Sequence, residues 1–420
     1  MNNNKILGII GGGQLGKMML QYCSTIGIKT KVYDSSEISI CSDMCSEIVI
    51  GDFMDYKKIM NFGRKCSIIT FELENICVQA LKDLEKEGII IFPSPSTLEI
   101  IQNKNLQKTF LQKNNIPISS FIKYNSLDKI KQDIIDKKIK LPCVWKKTSG
   151  GYDGFGVKII NHINDITNLI KLTNSKSSIN YVNSIDSIDS TDSSDSTDSN
   201  DSNNNEEYII EEMINIHKEI SILVARNTQG DIITYSPLEM VFDNSTNQLN
   251  HVFHPSIIPY QTDLVSKEIA KKIVTLLNYV GIMAVEMFYT YDNRIIVNEL
   301  APRPHNSGHL TNESCCATSQ FEQHIRAILG MPLGDPSFHR PACMFNIIGD
   351  NKHFGLADYN STGMRELIYM ENTYVHIYGK LKTYPNRKLG HVTILGKGKP
   401  SKTYIDKINK KTKIKSLKQN

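Results

Sequence analysis

The 420-residue sequence has no uninterrupted apolar run near the ~18 residues that a membrane-spanning helix needs. Its mean hydropathy is −0.28, and a membrane protein is not expected. A secretory leader is not expected either: Met1-Asn2-Asn3-Asn4-Lys5 runs directly into a brief apolar stretch that ends in glycines, not in a cleavage site. The cytoplasm is the expected compartment. Nine cysteines, an odd number, are scattered along the chain, so reduced thiols are expected rather than a disulfide framework. Cys41 with Cys45, and Cys315 with Cys316, lack the second Cys/His pair that zinc spacing demands. Outside the tail 407–418 the lysines do not cluster, and none is interleaved with aromatics as a nucleic-acid surface requires.

One absence is local. Residues 183–207 carry eight acidic side chains and neither Lys nor Arg, so the net charge of +4 becomes +12 for the rest of the chain. A basic surface serving phosphate-bearing small molecules accounts for that excess. Within the acidic stretch an Asp recurs every third residue (Asp186, Asp189, Asp192, Asp195, Asp198, Asp201) among Ser, Thr and Asn. These carboxylates repel one another and almost nothing apolar offsets the ordering entropy. Residues 174–206 are therefore expected to form a disordered insertion. A calcium-binding repeat would need glycines that are not there.

The length implies two or three domains. Strands expected at 5–11, 29–33, 67–71 and 89–92 alternate with helices at 15–26 and 78–87, the pattern of a parallel α/β sheet. Pro93-Ser94-Pro95-Ser96 closes that unit. Beyond it the pattern predicts one helix over 97–114 and strands at 142–146 and 156–160 around a glycine-rich loop. Antiparallel strands follow at 208–212, 219–226 and 232–239, then a helix at 263–280 and a hairpin of 283–289 with 294–298. After Pro332 the strands are short, with 375–378 and 390–395 among them. The expected organisation mixes α/β and α+β: an N-terminal parallel domain (1–96), a central domain (97–330), a small C-terminal β domain (331–400), and a basic tail (401–420) that frays.

Gly11, Gly13 and Gly16 fit G-x-G-x-x-G between a strand and a helix, and Asp34 ends the next strand. Alone this reads as dinucleotide binding, although the same glycines serve any phosphate or simply let the helix pack closely. In 142–156 a lysine, Lys146, ends a strand ahead of a flexible loop with Gly151, Asp153 and Gly154, which suits a nucleotide triphosphate. A plain hairpin is the bland alternative. Glu211, Glu212 and Glu219 are acids of the kind that accept from adenine and ribose. Glu286 and Glu299 lie on the two arms of the expected hairpin in apolar surroundings that penalise unpartnered charge. Together they suit Mg²⁺ (or Mn²⁺) bridging phosphate oxygens. Prolines stiffen the following loop, which presents Arg303, His305, Asn306 and Ser307 for phosphate and polar-ring recognition. Lys380, Arg387 and Lys388 add cations, with solvated surface charge as an equally open reading.

Seven blocks recur in order in one known family: Gly-Gly-Gly-Gln-Leu-Gly (11–16), Thr-Phe-Glu-Leu-Glu-Asn (70–75), Gly-Gly-Tyr-Asp-Gly (150–154), Glu-Ile-Ser (219–221), Asn-Glu-Leu-Ala-Pro-Arg-Pro-His-Asn-Ser-Gly-His (298–309), Thr-Ser-Gln-Phe-Glu-Gln-His (318–324) and Arg-Lys-Leu-Gly-His-Val-Thr (387–393). Over residues 5–396 the chain resembles the 5-(carboxyamino)imidazole ribonucleotide synthases, which are ATP-grasp ligases. The resemblance implies a pre-ATP-grasp domain followed by an ATP-grasp domain. It also implies carboxylation of aminoimidazole ribonucleotide by bicarbonate and ATP, through carboxyphosphate. Lys104, Lys146, Gly151, Asp153, Gly154, Glu211, Glu212, Met213, Ile214, Glu219 and Asn298 would contact ATP. Glu286 and Glu299 would hold the metal. Glu72, Tyr152, Arg303, His305, Asn306, Ser307, Lys380, Arg387 and Lys388 would form the ribonucleotide and bicarbonate site, with the N-terminal glycines supporting it instead of NAD. Lys104 stands where many relatives have Arg, which keeps the charge and loses the bidentate fork. A homodimer is implied, and a separate mutase to use the product, since no chain remains for a fused one. Other readings are a formate-using transformylase of the same superfamily, an NAD(P)-dependent oxidoreductase, or a non-catalytic nucleotide binder.

Overall fold

The computed structural model describes residues 5–150, 156–174, 207–243, 248–312, 316–350, 352–396 and 399–417. The acidic insertion, and with it the expectation of disorder, lies outside them. No helix among the described residues is long and apolar enough to cross a membrane.

Five parallel strands open the fold in the spatial order Glu47–Ile50, Lys29–Asp34, Ile6–Ile10, Ile68–Phe71, Ile90–Ile91. The central strands read as apolar runs because helices cover both faces. The first strand turns through Gly11–Gly13 into the helix Gln14–Thr25. A Cβ on Gly16 would meet the Gly11 carbonyl at 2.5 Å, so only glycine lets this helix start so close to the strand.

The single helix expected over 97–114 is two helices, Pro95–Gln102 and Lys104–Lys113. Asn103 between them is extended, and its side chain accepts from the amides of Asn105 and Leu106, so it caps the second helix. A four-stranded antiparallel sheet follows, in the order Phe121–Tyr124, Tyr208–Glu212, Cys143–Lys147, Val157–Ile160.

Most of the remaining strands join one ten-stranded sheet. Its path runs Ile295–Ala301, Gly281–Thr290, Ile216–Arg226, Leu238–Phe242, Leu249–His254, Ala342–Gly349, Lys388–Leu395, Thr373–Ile377. The C-terminal strands thus continue the central sheet edge to edge, through the pairing of His251 with Phe345. The strand expected over 232–239 is interrupted at Pro237, which splits it into Ile232–Thr234 and Leu238–Phe242. The helix expected to 280 ends at Leu276, because Asn278 adopts a left-handed φ of 45° before the next strand begins at Gly281. The tail expected to fray forms the helix Lys402–Lys411 and a short strand, Lys413–Ile414, against Ala342–Gly349. Ile408 and Ile414 are fully buried there. Two core anchors outweigh a lysine-rich composition.

Candidate active site

The site lies where the four-stranded sheet faces the Ile295–Ala301 edge of the large one. Cross-strand register brings its charges together. Val144 pairs with Glu211, so Lys146, two residues along, projects from the same face as Glu211. Lys146 Nζ is 3.0 Å from Glu211 Oε1, and it donates to Asn298 Oδ1 at 3.1 Å. Glu211 is 3% exposed. It also accepts from Ser119 Oγ at 2.6 Å and from Lys108 Nζ at 3.0 Å. Burial pushes the Glu211 carboxyl up, but the charges of Lys146 and Lys108 overcome this and hold it at about 2.

Across the cleft, Ser221, Glu286 and Glu299 lie side by side on three adjacent strands. Glu219 shares their face, two residues before Ser221. The Ile295–Ala301 strand bulges where Glu286 pairs with Glu299 but Met287 pairs with Val297. The extra residue is Asn298, and the bulge suspends strict alternation, so consecutive Asn298 and Glu299 both serve the site. Burial raises the Glu219 carboxyl to about 7. Burial, with the charges of Glu299 and Glu219, raises Glu286 to about 8. Glu299 feels the same burial, yet the neighbouring Lys104 ammonium, with which it pairs, brings it below its ordinary value.

The loop after Glu299 is held by Gln320. Its side-chain oxygen accepts from the His305 amide at 2.8 Å, and its amide nitrogen donates to the His305 carbonyl at 2.8 Å. His305 Nε2 then lies 3.2 Å from Glu286 Oε1, and His305 Nδ1 lies 2.8 Å from Ser307 Oγ. Ser307 Oγ donates to Ser221 Oγ at 3.0 Å. Arg303 Nε is 3.1 Å from Glu74. Both amide atoms of Asn306 are buried without a hydrogen-bond partner among the described residues.

Glu72 has a different occupation from the others. Its carboxylate accepts from the amides of Gly13 at 2.6 Å and Gly16 at 2.7 Å, so a carboxylate of the protein itself fills the anion position of the glycine motif. Arg303 is near enough for its charge to act on Glu72. Arg387 donates to the Lys382 carbonyl at 3.0 Å and lies over the Tyr384 ring. Lys388 opens the strand Lys388–Leu395, and Lys380 follows Gly379 near it. Glu212 points outward and accepts from the Ser120 amide, while Met213 is exposed and Ile214 half-buried. Gly151, Tyr152, Asp153 and Gly154 lie outside the described residues. Sequence reasoning missed Lys108, Ser119, Ser221 and Gln320. Lys108 left a trace, four residues after Lys104 and so on the same helix face, while Ser221 and Gln320 stood inside the recurring blocks 219–221 and 318–324 with no role assigned.

A lysine-lined sheet facing half-buried carboxylates on a second sheet defines the ATP-grasp class, and residues 109–321 match the family model of the ATP-grasp domain. Residues 4–102 match the ribonucleotide synthetase preATP-grasp domain, and 342–402 the phosphoribosylaminoimidazole carboxylase C-terminal domain. The N5-carboxyaminoimidazole ribonucleotide synthase of Bacillus subtilis is 31% identical, over 97% of this chain and 95% of its own. The crystal structure of the Thermotoga maritima N5-carboxyaminoimidazole ribonucleotide synthetase superposes with a TM-score of 0.78 at 35% identity, covering 98% of this chain and 100% of that one. That of the Aspergillus clavatus N5-carboxyaminoimidazole synthase, in complex with ADP and 5-aminoimidazole ribonucleotide, gives 0.80 at 25% identity over 98% and 99%. The chain spans 64% of the length of a plant relative, the chloroplastic phosphoribosylaminoimidazole carboxylase of Vigna aconitifolia. The chain belongs to the N5-carboxyaminoimidazole ribonucleotide synthase family and is an ATP-grasp ligase.

Proposed function

We propose that the chain carboxylates the amino group of 5-aminoimidazole ribonucleotide in purine (IMP) biosynthesis, consuming ATP and bicarbonate. A bicarbonate oxygen attacks the γ-phosphorus and the bond to ADP breaks, giving carboxyphosphate. Phosphate then leaves as the carboxyl carbon passes to the amine, which loses a proton. The observation that carries this reading is the meeting of two surfaces. The Lys104, Lys146 and Glu211 cluster adjoins the Glu286–Glu299 row, and His305 joins that row to the Arg303–Ser307 loop. The Aspergillus relative, solved with ADP and the aminoimidazole ribonucleotide, supports the substrate pair.

Lys104, Lys146, Asn298, Glu211, Glu219 and the 212–214 segment would face ATP. Arg303, His305, Asn306, Ser307, Glu72, Lys380, Arg387 and Lys388 would face ribonucleotide and bicarbonate. Glu286 and Glu299 would hold Mg²⁺, or Mn²⁺: burial and the charges of Glu299 and Glu219 raise Glu286, and a cation would offset that repulsion. Among the described residues no three His, Cys, Asp or Glu side chains could hold an ion by themselves. That suits a metal completed by phosphate oxygens, which it would neutralise. We further propose the divisions 1–96, 97–330 and 331–400, with 401–417 packed onto the last of them, a homodimer, a cytoplasmic location and a separate mutase as consumer of the product.

ADP release should require both aminoimidazole ribonucleotide and bicarbonate. Release that ignores the ribonucleotide, or that runs on formate in place of bicarbonate, would sink this reading.

A further inference from the structure

Tyr378 is 1% exposed and lies in a core shared by Leu15, Met18 and Phe321. It is bonded to all three parts of the molecule. Its carbonyl accepts from Lys17 Nζ at 2.8 Å, on the helix whose first amides hold Glu72. Its hydroxyl is 3.3 Å from His309 Nε2 and 3.1 Å from His391 Nδ1. His309 belongs to the turn Asn306–Thr311, which continues the Arg303–Ser307 loop. His391 lies on the strand that Lys388 opens.

The two imidazoles stack at 4.3 Å with an interplanar angle of 4°, and His376 stacks on His391 at 4.4 Å. Nearly parallel rings aim their lone pairs edgewise, not at one point, so a shared metal ion is not what this stack is built for. Burial keeps His309 and His391 well below their ordinary pKa. Each neutral ring offers one donor and one acceptor. The tyrosine hydroxyl has one proton, so it donates to one ring and accepts from the other. Both bonds stand or fall with that oxygen.

We propose that Tyr378 is a positioning residue for the ribonucleotide, a reading that rests on the reaction proposed above. The proposed substrate groups come from three parts of the chain: Glu72 from the first, Arg303–Ser307 from the second, Lys380, Arg387 and Lys388 from the third. Tyr378 fixes the distances among them. The ATP cluster of Lys104, Lys146, Glu211 and Glu299 makes no contact with it.

Tyr378→Phe keeps the ring in the core and deletes the bridging oxygen. Its KM for the ribonucleotide should rise about tenfold, the weight of one to two buried hydrogen bonds, with the KM for ATP unchanged; the thermal midpoint falls in any case, because two buried rings lose their partner. Lys17→Met, which cuts the first tie, should move the same constant in the same direction. An unchanged ribonucleotide KM in Tyr378→Phe overturns the proposal, whatever kcat does. So does a rise shared equally by ATP, which marks mere destabilisation. Wild-type enzyme without ribonucleotide-dependent turnover would instead bring down the reaction itself.

Discussion

Lys108 and Glu211 are each 3% exposed at the side chain and 3.0 Å apart, with Ser119 bonded to both. Burial lowers the Lys108 ammonium to about 8, against the pull of the Glu211 charge. Glu211 has a second cation in Lys146, but a lysine that turns to a triphosphate must leave it. Lys108 is then the standing counterion. In Lys108→Met the carboxylate has only Lys146 to neutralise it and should hold that lysine away from phosphate. The KM for ATP is expected to rise more than tenfold, and urea unfolding should show a loss of about 1.5–3 kcal/mol, the weight of one buried hydrogen bond to a charged group, since Glu211 keeps Lys146 and Ser119. Adding Glu211→Gln removes the stranded charge and should restore part of the stability. A double variant no more stable than the single one would show that the pair is not coupled.

At the scale of elements, the break at Asn103 matters more than its single residue suggests. It starts a fresh helix whose first and fifth residues, Lys104 and Lys108, both face the site, and the Lys104 amide donates to the Thr148 carbonyl at 2.7 Å. Asn103→Ala removes the side-chain cap, so a loss of about 1 kcal/mol is expected in urea unfolding, with a weaker grip on ATP. Wild-type stability in that variant would mean that backbone contacts alone set the helix start. Apolar periodicity runs unbroken through 97–113, which is why the sequence reads as one helix. Four strands of the parallel N-terminal sheet were legible because strand and helix periods alternate there, whereas the half-buried edge strand Glu47–Ile50 and the helix Tyr56–Gly63 went unread. The bulge at Asn298 was not legible, since it is a register mismatch with a partner strand. The same holds for Gln320, whose two bonds to His305 span fifteen residues. Lys146, Glu286 and Glu299 could be picked out because charge in apolar surroundings is visible locally. That Glu286 and Glu299 meet followed from the hairpin, but that Lys146 meets Glu211 did not.

For the molecule as a whole, acidity should decide stability through histidines that join its parts. His324 accepts from the Ile282 amide through Nδ1 at 3.1 Å, so its proton is on Nε2, 2.8 Å from Thr70 Oγ1. This couples the N-terminal sheet to the large one. Burial depresses His324 to about 3, His251 and His254 to about 4, and His309 and His391 well below their ordinary value. Each is neutral when folded and takes up a proton near pH 6.5 when unfolded. The unfolded chain therefore binds more protons below that pH, and the stability present above it is lost as pH falls. Glu219 and Glu286, raised to about 7 and about 8, work the other way, because the folded chain keeps their protons down to the ordinary carboxylate range. Burial raises Glu72 and Asp34 as well, so these carboxylates against five histidines leave a net uptake on unfolding of about one to three protons near pH 5.5, roughly 1–4 kcal/mol per pH unit. Urea midpoints should be steady from pH 8 to 7 and then fall steeply between 6.5 and 5. His324→Gln should flatten that fall by about one proton, whatever it does to stability at pH 8. A midpoint that is flat from 7 to 5 would mean that these rings are protonated in the folded chain, and that burial does not control them.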